Sequence, residues 1–169
     1  MCNVRGYRQA NNDTLSHIIF VGACPGRMEG EDNRPFSPRG RAGASLRTLL
    51  SVLHDHYNET FRSACIDDYS LANAHTKVRV RGTPSLKELR DPDNLERLRR
   101  IFNSHSDTIL IALGKDAEIA CREVGKEPSV IYPHPTSRKV NKPRRGSWER
   151  NWRYWVETIN NPFLGGPNQ

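Results

Sequence analysis

The sequence predicts an α/β protein: a three-layer αβα sandwich around a central four-stranded, mostly parallel sheet. Three observations carry that expectation. Short apolar runs alternate four times with helical patterns, which suits a parallel sheet covered on both faces. The chemically unusual residues fall just after the predicted strands, at 22–43, 73–77, 114–115 and 134–142, and sites in such sheets form beyond the carboxyl ends of the strands. Finally, 169 residues with 36% apolar content suit one domain spanning 1–169, without internal repeats or a Gly/Ser-rich linker.

The elements follow in order. Residues 17–22 (HIIFVG) form a short β-branched run that reads as a buried strand. A helix over 43–53 places Leu46, Leu49, Leu50 and Leu53 on one face. Residues 69–73 make a weaker strand. Asp91-Pro92 supplies an N-cap and a first-turn proline to a helix carrying Leu95, Leu98, Ile101 and Phe102. The clearest strand is 108–113 (TILIAL), ended by Gly114 and followed by a short helix over 116–124. A fourth strand, 129–132, stops at Pro-His-Pro. Ser147 caps a last helix in which Trp148, Trp152, Trp155 and Ile159 recur at helical spacing, a period of core packing rather than base stacking.

Charge narrows the partners. The formal net charge is +7 with pI near 9.5, so an acidic partner is expected, nucleic acid first. Residues 138–153 hold seven basic side chains against the single acid Glu149, nearly the whole surplus. No apolar run approaches membrane-spanning length, and the N-terminus is polar. Cys2, Cys24, Cys65 and Cys121 lack metal-knuckle spacing. The expectation is a cytoplasmic monomer with DNA as partner, no membrane association, no metal and no cofactor.

The candidate site residues lie at the predicted strand ends. Gly22-Ala23-Cys24-Pro25-Gly26 is a tight turn without the Gly-x-Gly-x-x-Gly spacing of a dinucleotide site. Glu29, Arg34-Pro35-Phe36 and Gly40-Arg41-Ala42-Gly43 follow it. Phe36 reads either as a core plug or as an exposed stacking platform. Asn73 reads as a turn residue or as an amide that matches a base edge. His134 is constrained by a proline on each side, beside the basic segment.

These pieces resemble the uracil-DNA glycosylase superfamily. The run from Gly22 to Gly43 is similar to the first motif of its iron–sulfur branch: a Gly-Glu-Ala-Pro-Gly turn, an acidic loop, Pro-Phe and Gly-x-Ala-Gly. "LANAHTK" (71–77) resembles the strand-end asparagine motif, and "HPTSRKVNKP" (134–143) the His-Pro-Ser loop that enters the minor groove. The cluster cysteines of that branch are missing. So is the water-activating acid or amide, whose place is taken by Ala23 and Cys24. A short insertion, Ser37-Pro38-Arg39, widens the loop after Phe36. Arg138 or Lys139 stands where some relatives carry a leucine wedge.

The resemblance implies a DNA glycosylase that flips a base and hydrolyses its N-glycosidic bond. Its implied catalytic residues are His134 as donor to the base oxygen and Asn73 at the base edge or water. Glu29, Glu31 and Asp32 are the acids that could replace the missing one, with Asp32 and Glu29 preferred. Gly22, Ala23, Cys24, Pro25, Gly26, Phe36 and Asn73 would surround the base. Arg39, Arg41, Ser137, Arg138, Lys139, Lys142, Arg144 and Arg145 would meet DNA. A tyrosine follows the motif proline in uracil-specific relatives and crowds the pyrimidine 5-position. Gly26 stands there instead, so the expected substrate is uracil or a 5-modified pyrimidine such as those of phage DNA, in repair or antiviral defence. The alternatives are a non-catalytic DNA- or base-binding module of the same fold, and a nucleotide-binding α/β protein without a DNA role, which the basic segment disfavours.

Overall fold

The computed structural model describes residues 6–141 and 147–159. Lys142, Arg144 and Arg145, three of the expected phosphate contacts, lie outside the described residues. So does Cys2. Within them, the sheet has five strands rather than the expected four. In chain order these are β1 (Tyr7–Arg8), β2 (Ile18–Gly22), β3 (Ser70–Asn73), β4 (Ile109–Leu113) and β5 (Val130–Tyr132). Their spatial order is β1-β3-β2-β4-β5, with β1 antiparallel to β3 and every other pair parallel. The added strand is two residues long, too short to display a period. Its position is held by Arg8, whose guanidinium donates to the carbonyl of Ile66 at 2.7 Å and pairs with Asp67 at 3.1 Å.

Strand alternation sorts the core into two layers. On one face Ile18, Phe20, Leu71, Ile111 and Leu113 pack against α2 (Arg41–His56) and α7 (Trp148–Thr158). On the other, Ile19, Val21, Ala72, Leu110 and Ala112 pack against α4 (Pro92–Phe102) and α5 (Lys115–Glu123). All five residues of β2 are buried, as its position in the middle of the sheet demands. Trp152 is fully buried and donates its indole N–H to Ser45 at 3.0 Å, which ties α7 to α2. The periodic tryptophan is therefore core.

The helix starts follow capping chemistry. Asp91 accepts from the backbone N–H groups of Asp93 and Asn94 with Pro92 in the first turn, and Ser147 accepts from Arg150. Three short helices were not expected: α1 (Arg27–Asp32), α3 (Leu86–Leu89) and α6 (Arg138–Asn141). The first converts much of the acidic loop into a helical turn and a half. That change decides which of its acids face inward.

Candidate active site

The site begins where two parallel strands end together. Gly22 of β2 is in register with Asn73 of β3. The pairing continues past both strands, with Ala74 N–H on the Gly22 carbonyl (2.8 Å) and His75 N–H on that of Ala23 (2.9 Å). Asn73 is 1% exposed, and its Oδ1 lies 2.8 Å from where a Cβ on residue 22 would be. Behind it, Arg97 donates to the Asn73 carbonyl (2.8 Å) and to that of Ala74 (3.2 Å). Burial among carbonyls pulls the Arg97 pKa down to about 10.

Beyond the turn, Glu29 closes the loop. It is 7% exposed. One carboxylate oxygen accepts from Gly26 N–H (2.8 Å), the carboxylate half of a capping box at the start of α1. The other accepts from Phe36 N–H (2.6 Å) and Asn73 Nδ2 (3.4 Å). Burial raises the Glu29 pKa, and the donated bonds oppose that shift. Phe36 has φ of +51°, a rare conformation for a bulky residue, and is 2% exposed. It is thus a buried wall and not the exposed platform considered from sequence.

His134 follows β5. Its Nδ1 accepts from the backbone N–H of Thr136 (3.2 Å) and lies 2.9 Å from the Thr136 hydroxyl. A backbone N–H can only donate, so the neutral ring carries its proton on Nε2. Desolvation lowers the His134 pKa, with Asp116 pulling the other way. Gly114, at φ +95°, brings α5 against this loop; a Cβ there would sit 3.0 Å from His134 Cβ.

These groups share one cavity of about 380 Å³, within the usual range of roughly 300–1,000 Å³ for ligand pockets. Of the residues expected around a base, Ala23, Cys24, Gly26, Phe36 and Asn73 line it, together with the expected catalytic residues Glu29 and His134. Gly22 and Pro25, expected there as well, do not line it. Burial pushes the Cys24 thiol up to about 11, so it is a protonated wall near neutral pH.

Other expected residues stand elsewhere. Asp32 does not line the cavity: its carboxylate is bonded to the Ser37 hydroxyl and paired with Arg39 at 2.7 Å. Arg39 also pairs with Glu31 (3.2 Å), so the loop acids and the inserted cation neutralise one another. Arg41 is exposed at the start of α2. Ser137 donates its backbone N–H to His134, and Arg138 and Lys139 begin α6, with the Lys139 ammonium 5.8 Å above the Trp155 ring.

Sequence reasoning missed one whole wall. Residues 79–83 cross the cavity mouth, held by Arg79 N–H on the Pro25 carbonyl (2.8 Å) and by an Arg79–Glu88 ion pair. Val80 is 79% exposed there, and Arg81 has no ion pair among the described residues. Asp116 and Thr136 were missed as well, although Gly114-Lys115 had marked the turn beside Asp116. Among the described residues, no three His, Cys, Asp or Glu side chains gather as metal donors, and no helix is long and apolar enough to cross a membrane.

An aromatic wall, a buried amide and a tautomer-fixed histidine meet at the carboxyl edge of a doubly covered parallel sheet. That is the build of an α/β protein with its pocket at the carboxyl edge of the sheet. The family can be stated outright: the model of the uracil DNA glycosylase superfamily matches residues 10–157, and the chain belongs to that superfamily. A comparison with curated proteins gives no match.

Proposed function

We propose that the protein is a monofunctional DNA glycosylase that flips a pyrimidine into the cavity and hydrolyses its N-glycosidic bond. The observation that carries this reading is the fixed orientation of His134. With Nδ1 occupied by the Thr136 N–H, the Nε2–H is the free donor of a ring that lines the cavity with Phe36 and Asn73.

Breaking the bond leaves negative charge on the departing base. A donor preorganised for that charge supplies transition-state stabilisation without rearrangement. His134 Nε2–H meets the base oxygen, Phe36 stacks on the ring, and Asn73 reads the base edge. Exposed cations around the mouth, Arg81 and Arg41 among them, meet phosphates. The substrate is uracil or, given Gly26 and the small Ala23 and Cys24 in the lining, a pyrimidine substituted at its 5-position. Modified phage DNA is the natural source of such bases, and antiviral defence the corresponding role.

The test is abasic-site formation on duplexes carrying uracil, 5-substituted uracils and 5-substituted cytosines. Release from at least one, lost in His134→Ala, is the expected result. A second reading, a non-catalytic base-binding module, draws on Ala23 and the protonated Cys24, neither of which activates water. Tight binding with no release from any of these duplexes would favour it.

A further inference from the structure

Hydrolysis needs a water held against C1′ and a group to take its proton. The cavity offers two carboxylates of opposite character. Glu29 is committed: three of its roughly four acceptor positions are filled by Gly26, Phe36 and Asn73. Moving its charge would unclamp the turn that shapes the pocket. Asp116, the second residue of α5, has neither a hydrogen bond nor an ion pair among the described residues. A half-buried carboxylate without protein partners must keep its oxygens on water.

Its location follows from topology. β4 lies between β2 and β5, and α5 starts directly beyond the end of β4. Asp116 therefore enters the cavity between the Cys24 turn and the His134 loop, and lines it with both. Its field reaches each: it opposes ionisation of Cys24 and favours protonation of His134.

We infer that Asp116 is the catalytic carboxylate that holds and deprotonates the attacking water, in the position that Ala23 and Cys24 leave without a base. The inference rests on the glycosylase reading. As the C1′–N bond breaks, its electron pair goes to the base, whose oxygen takes the His134 Nε2–H bond. The water oxygen bonds to C1′. Its proton passes to Asp116 and then to the base anion, so a sugar hydroxyl and a neutral base leave.

The experiment is single-turnover abasic-site formation by wild type, Asp116→Asn, Asp116→Ala and His134→Ala on duplexes carrying uracil or 5-substituted pyrimidines. Duplex binding is measured by fluorescence anisotropy. Removing the base should slow release by about 10²- to 10⁴-fold, with binding unchanged. Added formate should restore part of the rate to Asp116→Ala, which a purely structural role would not allow. Both variants should keep the wild-type circular dichroism spectrum, since the carboxylate makes no hydrogen bond or ion pair among the described residues. A wild-type rate in Asp116→Asn, with His134→Ala inactive, would overturn the role of Asp116 and leave the glycosylase reading standing. No release by wild type from any of these duplexes would overturn both.

Discussion

The Phe36 ring occupies the space that a side chain on Gly22 would need. Its Cζ lies 2.6 Å from the position of a Cβ at residue 22, nearer than real Cβ contacts come. Gly22 is a strand residue at the end of β2, so the requirement is close approach and not an unusual φ. Gly22→Ala must push back either the ring or the Asn73 amide. It should cost about 1–3 kcal/mol of stability by overpacking and reduce base release more than duplex binding. Thermal denaturation and single-turnover release check both. Wild-type melting and rate would show that the wall yields freely.

Glu29 should matter for stability ahead of chemistry. Glu29→Ala strands two backbone N–H groups, those of Gly26 and Phe36, whose bonds to a charged acceptor contribute about 1.5–3 kcal/mol each. A loss near 3 kcal/mol in urea denaturation is expected. Glu29→Gln keeps an acceptor oxygen and should lose less. Equal stability of the two variants would contradict the clamp.

His134 should set an acid limit. Its folded pKa lies below the ordinary 6.5 because burial disfavours the charged ring. The unfolded chain therefore binds a proton first as pH falls, and stability is lost between 6.5 and the lower folded pKa. Protonation also places a hydrogen on Nδ1 opposite the Thr136 N–H. Base release should hold level down to pH 6.5 and fall below it. His134→Ala should lower release on the order of 10²–10³-fold at any pH. The pH–rate profile checks this; a decline beginning above 6.5 would assign the limb to another group.

Gly26→Tyr should fold, since φ at this position is −81° and a Cβ would meet only Glu29 Oε2, at 3.5 Å. Its ring would enter the cavity that Gly26 lines. Release of 5-substituted pyrimidines should fall relative to plain uracil. Rates measured in parallel on both substrates decide it, and an unchanged preference would remove Gly26 from the specificity wall.

The two exposed loop arginines should behave differently on DNA. Arg81→Ala removes a cation that has no ion pair among the described residues and should flatten the salt dependence of duplex binding by about one unit. Arg39 already faces Glu31 and Asp32, so Arg39→Ala should change the slope less. Binding titrations from low to moderate salt compare them. Equal slopes would mean that the loop ion pairs open on DNA.

Much of the sheet was legible because buried parallel strands read as apolar runs. IIFVG and ILIAL could hardly be anything else, and leucine periodicity identified α2 and α4. Four short elements left no such trace: β1 has two residues, α3 and α6 four each, and α1 six mostly polar ones. The missed helix α1 explains the misplaced acid. In an extended loop Glu29 and Asp32 are equivalent candidates. In the helix, one is drawn in by the Gly26 and Phe36 amides and the other out toward Ser37 and Arg39.

By itself the sequence determined the order of four strands and four of the helices, and the identity of the residues at strand ends. Those are local properties, written in neighbouring side chains: apolar runs for burial, Gly and Pro for turns, an asparagine and a histidine at strand ends. Only the tertiary structure decided which of those residues share a cavity. Strand order places β4 between β2 and β5, and nothing local to Asp116 says that its helix opens between the Cys24 turn and the His134 loop. The same holds for Phe36, buried because Gly22 and Glu29, 14 and seven residues before it, leave its ring and its N–H one place each. Contacts between distant segments depend on how the layers close, and one chain carries no record of that closure in the spacing of its residues.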